Sequence, residues 1–245
     1  MPLLKRDWYE FRKNIVLYLA LWIIIPILIH LLLAIPLSYL ISLEVRYLNW
    51  AAAGIWFTSA GMASFLETSL RIRKINYETG QIDAILQAPI SNFELLTVLL
   101  LRGIIFGFIQ FIFAIIITCT LNHEYLGTLS IIMIIIQIIA VILFFSVLGI
   151  LMGLFIPHRI IFTQLSLGIF IFISMGMGAF IPISSYPESY LMIINKFPLV
   201  VVVQNMQSII IHDNVQLISF FLILVLSTLL FCIILIVSNK IFRNI

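Results

Sequence analysis

From residue 129 to residue 154 the chain carries no Asp, Glu, Lys or Arg, and most positions are Ile, Leu, Val or Phe. Crossing the hydrocarbon core of a bilayer takes about 20 apolar residues. Inside lipid every backbone N–H and C=O must find its partner within the protein, which leaves helices and closed barrels. Barrel strands alternate apolar and polar over about ten residues. These runs do not alternate, so they read as helices. The whole chain agrees: 63% of its 245 residues are hydrophobic and 9% are charged, against about 45–50% and about 25% in soluble domains. The expectation is an all-α integral membrane protein, one transmembrane domain over residues 1–245 with no room for a soluble one.

Hydropathy places six spans near 15–41, 48–70, 95–119, 129–154, 162–181 and 216–238. The first is too long for a signal-peptide core and reads as a retained span. With six spans both termini share a side, and the charges can be sorted. Lys5, Arg6, Arg12, Lys13, Arg71, Arg73, Lys74, Arg102, Arg159, Lys240 and Arg243 fall on that side; of the 13 Lys and Arg, only Arg46 and Lys196 fall opposite. Basic residues collect on the cytoplasmic side. The termini are therefore expected in the cytoplasm, and the basic pI needs no nucleic acid to explain it.

Residues 1–14 place Leu4, Trp8 and Phe11 at helical spacing with basic residues elsewhere on the wheel, which suits an amphipathic helix lying on the inner leaflet. Glu67 and Arg102 sit near the ends of spans, where a charged head reaches the interface at low cost. Gln110, Gln137 and Gln164 are the polar groups nearest the interior of spans. Each could bond helix to helix or line a substrate path. The pairs Gly103/Gly107 and Gly149/Gly153 permit close helix packing. Cys119 and Cys232 have no spacing that suggests a disulfide or a metal site, and no His or carboxylate pattern within the spans suits an intramembrane protease.

Two connections stand apart from ordinary loops. In residues 182–214, Pro182, Pro187 and Pro198 break an apolar stretch, and Pro187 is placed as a first helical residue. The run 198–211 gives about 21 Å of helix, short of a core of about 30 Å, so a re-entrant segment or an interfacial hairpin is expected before the last span. In residues 71–93, Ile82, Ile85 and Leu86 share one helix face between Gly80 and Pro89. A helix of two turns does not hold alone in water, so its apolar face needs a cover. Ser91 and Glu94 then form a capping box that starts the third span at once.

These features, in this order, resemble the type-2 ABC exporter permeases. That family has an amphipathic N-terminal helix, six spans with cytoplasmic termini, a first cytoplasmic loop of the form E-x-G-T-L-(E/D)-x-L-L-x-x-P-(V/I), and a broken segment before the last span. Here Glu78, Gly80, Gln81, Ile82, Asp83, Ile85, Leu86, Pro89 and Ile90 match the loop, with Gln81 in place of Thr. Pro182, Pro187, Leu191, Ile194, Pro198 and Leu199 are similar to the outer motif, with Phe197 in place of the usual Asn.

The resemblance implies that Glu78–Pro89 is a coupling helix seated on an ABC nucleotide-binding ATPase subunit. It also implies a homodimer or a pair with a related permease, in a bacterial-type cytoplasmic membrane, exporting an amphipathic or lipid-linked substrate. The chain has no G-x-x-x-x-G-K-(S/T) sequence, so ATP and Mg belong to the partner and no cofactor to this chain. A haem-export permease of cytochrome c biogenesis has a similar size and topology; here only the isolated His30, His123 and His212 would serve it. A membrane scaffold that anchors a cytoplasmic protein would use the same loop without transport.

Overall fold

The structure is a computed structural model and describes Tyr9 and residues 11–78, 91–123, 126–212 and 217–243. The long helices are α1 (Ile15–Ser38, with a π turn at His30–Ala34), α2 (Tyr47–Arg73), α3 (Asn92–Asn122), α4 (Thr128–Phe155) and α5 (Arg159–Ile171, extended by a π turn at Phe172–Gly176). The shorter α6 (Glu188–Ile194) and α7 (Pro198–His212) precede α8 (Leu217–Arg243). Among the described residues no strand occurs.

Five helices are long and apolar enough to cross a membrane: α1, α3, α4, α5 with its π turn, and Phe220–Ser238 of α8. The chain is a multi-pass membrane protein. The expected span at 48–70 is not among the five, although α2 has 27 residues and is therefore about 40 Å long. The reason lies in its surroundings. Twenty of those 27 residues are buried, and Ala51, Ala52, Ala53, Ser59, Ser64, Thr68 and Ser69 are among them. A helix wrapped by other helices needs small side chains for close approach rather than a lipid-facing apolar coat.

The contacts of α2 set the directions of the bundle. Trp56 donates to the Thr118 hydroxyl at 2.7 Å, while Glu67 meets Arg102 further along, so α2 and α3 are antiparallel. Against α4 the register climbs together: Gly61 lies against Phe145, Phe65 against Gly149 and Ile72 against Gly153. Both small-residue pairs lie in this seam. A Cβ on Gly149 or Gly153 would stand 2.6 or 2.7 Å from the carbonyl oxygens of Phe65 and Ser69, and one on Gly103 or Gly107 would strike Thr68 or Ser64.

The chain's first described turns sit at the Arg73 end of this bundle. Residues 11–13 are helical and Asn14 is a turn, after which α1 begins. The Phe11 ring lies 5.5 Å from Phe106 and 5.4 Å from Tyr18. Phe106 also carries the Arg102 guanidinium over its face at 5.3 Å. Leu4 and Trp8 of the expected interfacial helix lie outside the described residues. Late in α8, Ile234 packs with Ile72, Leu95 and Leu154 at this same end.

At the opposite end, α6 and α7 meet at 98° and together are apolar enough to count as one broken span or a re-entrant loop. Pro198 opens α7. Pro187 is one place earlier than expected relative to α6: its extended ψ of 147° makes it the N-cap, and the helix starts at Glu188. Leu191 lies within α6, half-buried, and Pro182 is the N-cap of a 3-10 turn at Ile183–Ser185.

Candidate functional site

Gly80, Gln81, Ile82, Asp83, Ile85, Leu86 and Pro89 lie outside the described residues, and of Glu78 only the backbone is described. Both attachments of this loop lie within the described residues. On the far side, Ser91 has the extended conformation of an N-cap, and its hydroxyl accepts from the Glu94 N–H at 3.1 Å. The Ser91 N–H donates back to Glu94 Oε2 at 3.2 Å. The capping box expected from the sequence is thus complete, and α3 begins without slack at Asn92.

On the near side α2 runs into a π turn at Lys74–Glu78. The last residue of α2, Arg73, is 3% exposed. Its guanidinium donates to the carbonyls of Ile156 and, at 3.2 Å, of Pro157. It also lies over the Phe162 ring of α5 at 4.8 Å and over the Tyr77 ring at 5.8 Å. The Tyr77 hydroxyl donates to the Leu154 carbonyl. These carbonyls end α4, where the last turn of a helix has no intrahelical donors. A cation there also meets the negative end of the helix dipole. Partial burial raises the Tyr77 phenol pKa, with the Arg73 charge and a hydrogen bond to Asn76 opposing it.

One turn and a half back along α2, Glu67 accepts from Arg102 of α3. Their side chains are 15% and 7% exposed. The sequence placed each separately at a span end; the structure brings them together, because α2 and α3 run antiparallel and put position 67 level with position 102. The two attachments of the loop are therefore joined to each other by an ion pair and to α4 and α5 by Arg73 and Tyr77. Arg73 and Tyr77 were absent from the sequence reading of the site. Their separation of four on one helical face was the available signal.

The three glutamines do not share one environment. Gln110 is fully buried and its Nε2 donates to the Trp22 carbonyl at 3.2 Å, tying α3 to α1. Gln137 is fully buried within α4. Gln164 is exposed on α5, on the same helix face as Ile161, Leu165, Gly168, Ile169 and Phe172.

The outer segment is held by neutral donors. Residues 177–182 are non-helical, yet Ala179 and Phe180 are fully buried. Non-helical backbone at such depth needs protein partners for its carbonyls. Tyr47 donates to the Phe180 carbonyl at 2.5 Å, Gln207 to that of Gly178 at 2.9 Å, Tyr190 to that of Gly176 at 2.8 Å, and Tyr186 to that of Met175. Gly178 has a φ of 82°, a left-handed conformation that a side chain would strain. Tyr186 has a raised pKa, from burial first and from its neighbour Tyr190 second.

Among the described residues no three His, Cys, Asp or Glu come together to hold a metal ion. Compared with protein-family models and with curated proteins, the chain matches none.

Proposed function

We propose that this chain is the membrane-embedded permease subunit of an ATP-binding cassette exporter. It would be driven by a separate ATPase subunit that grips the loop of residues 79–90. The observation that carries the reading is the anchoring of that loop. Its two attachments are fixed by a capping box, a buried ion pair and an arginine clamp, so a push on the loop has a rigid route into the bundle and to α5. A loop that merely connected two spans would need none of these contacts.

The proposed topology has six passes, with α2 as the sixth span and the bent pair α6–α7 re-entrant; the register of α2 along α3 and α4, two helices that pass the hydropathy test, supports this reading. Phe11, Arg102, Arg73 and the start of α5 at Arg159 then share one end of the bundle with the late part of α8, while Arg46 bonds the Asn122 carbonyl at the other. Positive charge gathers on the cytoplasmic side, which puts the loop where an ATPase would meet it. The exposed face of α5 that carries Gln164, Ile161 and Leu165 is the proposed surface for a second permease copy or for an amphipathic cargo.

The test is purification of the chain with its native partners, followed by Leu86→Asp and Asp83→Lys. An ATP-hydrolysing protein should co-purify and should be lost in both variants. Retention of the ATPase and of ATP-dependent transport in both variants would overturn the proposal.

A further inference from the structure

Arg73 joins the attachment of the 79–90 loop to the α4–α5 connection and to the first turn of α5 through its side chain. Its guanidinium is committed on three sides: two carbonyls of the α4–α5 connection accept from it, and the Phe162 ring of α5 lies against its flat face. Phe162 is in turn stacked on Phe65 of α2, with centroids 6.4 Å apart and planes 3° from parallel. Arg73 in the last turn of α2 and Phe65 two turns earlier thus both pack on Phe162 in the first turn of α5.

The rest of α5 is held mainly by Phe170, whose ring packs on Phe65 of α2 at 5.4 Å and on Phe145 of α4 at 5.7 Å. Between Arg159 and Ile171 only Phe162 and Ser166 are buried, while Ile160, Leu165, Leu167 and Ile171 are exposed. A Cβ added to Gly168 would meet nothing within 4 Å. By contrast α4, the preceding helix, is packed against α2 through Gly149 and Gly153 with no room to tilt. If the loop attachment moves, α5 is the element with the most exposed surface and the most freedom to follow, tied at its start by Arg73 and Phe162 and two turns on by Phe170.

We infer that Arg73 is a positioning residue that carries displacement of the 79–90 loop into α5, so that α5 tilts while α2, α3 and α4 stay together. The source of the displacement rests on the proposed function; the tie itself does not. Lysine cannot replace Arg73 here. It keeps the charge but offers a point ammonium in place of a planar fork, and so cannot hold two carbonyls and a ring face at once.

The experiment uses the full chain in lipid nanodiscs, with Cys119 and Cys232 replaced by alanine. Spin labels are placed at Asn76→Cys and Ile161→Cys, and a control pair at Ile105→Cys and Ile139→Cys. Without any partner, the parent should give one narrow distance peak between 76 and 161. Arg73→Lys and Phe162→Leu should each lose that peak, while the control pair keeps its own. A narrow 76–161 peak in Arg73→Lys would overturn the inference, and so would equal broadening of both pairs, which marks a general loosening.

A second arm adds the co-purifying ATPase with ATP and vanadate. Nucleotide should shift the 161 label in the parent and leave it still in Arg73→Lys, with the ATPase bound in both. An undiminished shift in Arg73→Lys would overturn the inference. Failure of the parent to bind any ATPase would overturn the proposed function instead, and the partner-free arm would still decide the tie.

Discussion

The two ends of α2 solve the same problem with different chemistry. At the Arg73 end, the carbonyls that finish α4 are met by a guanidinium, and Glu67 and Arg102 pair a turn and a half away. At the Tyr47 end, the carbonyls of the irregular stretch 175–180 are met by three tyrosine hydroxyls and one glutamine amide. A charged donor gives the stronger bond, but a charge within a lipid-covered site must be paired or must reach water. Charge is used where the attachments of the 79–90 loop are close. Neutral donors are used where a broken segment is enclosed by protein.

The sharpest way to break the charged end is to remove one member of its ion pair. Glu67→Leu leaves Arg102 with a largely buried charge, and taking one partner from such a pair costs about 3–5 kcal/mol. Thermal unfolding in nanodiscs, followed by tryptophan fluorescence, should show that loss. The double variant Glu67→Leu/Arg102→Met should recover most of it, since well-packed apolar replacements of buried pairs are often neutral or stabilising. A double variant as unstable as the single one would mean that the pair acts through shape rather than charge.

The neutral end should break by crowding. A Cβ at Gly54 would lie 2.1 Å from the Ala179 carbonyl oxygen, a backbone atom of the stretch that the tyrosines hold. Gly54→Ala should cost about 3 kcal/mol, near the upper part of the usual overpacking range. Limited proteolysis between residues 181 and 187 should rise with it. The corresponding change at Gly168, where a Cβ meets nothing, should be silent by the same assays.

Removing single donors at the neutral end should cost less. Tyr47→Phe leaves the buried Phe180 carbonyl without its hydroxyl, and Gln207→Leu does the same to Gly178. Each should lower stability by about 2 kcal/mol, the penalty of a buried acceptor left unmet. Because both carbonyls belong to one short stretch, the double variant should cost less than the sum of the singles. Strict additivity would show that residues 178–180 are two independent contacts rather than one held unit.

How much of this was legible in the sequence follows from what each segment faces. The five apolar spans were plain, because lipid tolerates only such a coat. The Ser91–Glu94 cap was plain too, because a capping box is local chemistry. The role of α2 was half hidden: its length was visible at 48–70, but its alanines, serines and threonines take their meaning from α3 and α4, which only packing supplies. The ion pair and the tyrosine contacts were hidden altogether. Tyr47 and Phe180 are 133 residues apart, Glu67 and Arg102 are 35 apart, and no periodicity links such positions. The glutamines show the limit from the other side: rarity in an apolar run marked them, yet Gln110 bonds helix to helix while Gln164 lies on an exposed face of α5.

The smallest effect belongs to Tyr77, a neutral donor at the charged end. Its ring is partly exposed, so losing its bond to the Leu154 carbonyl in Tyr77→Phe should cost under about 1 kcal/mol near neutral pH. Burial raises the phenol pKa in the folded protein despite the Arg73 charge. An unfolded chain therefore releases this proton first, near its ordinary value of about 10. The stability that Tyr77 adds over phenylalanine should be whole below about pH 10 and fall as pH rises through the folded value. Unfolding of both proteins over that interval isolates the group, because the other tyrosines cancel in the difference. If the difference instead grows with pH, the Arg73 charge outweighs burial at this position, and the phenolate would be the better partner for the clamp.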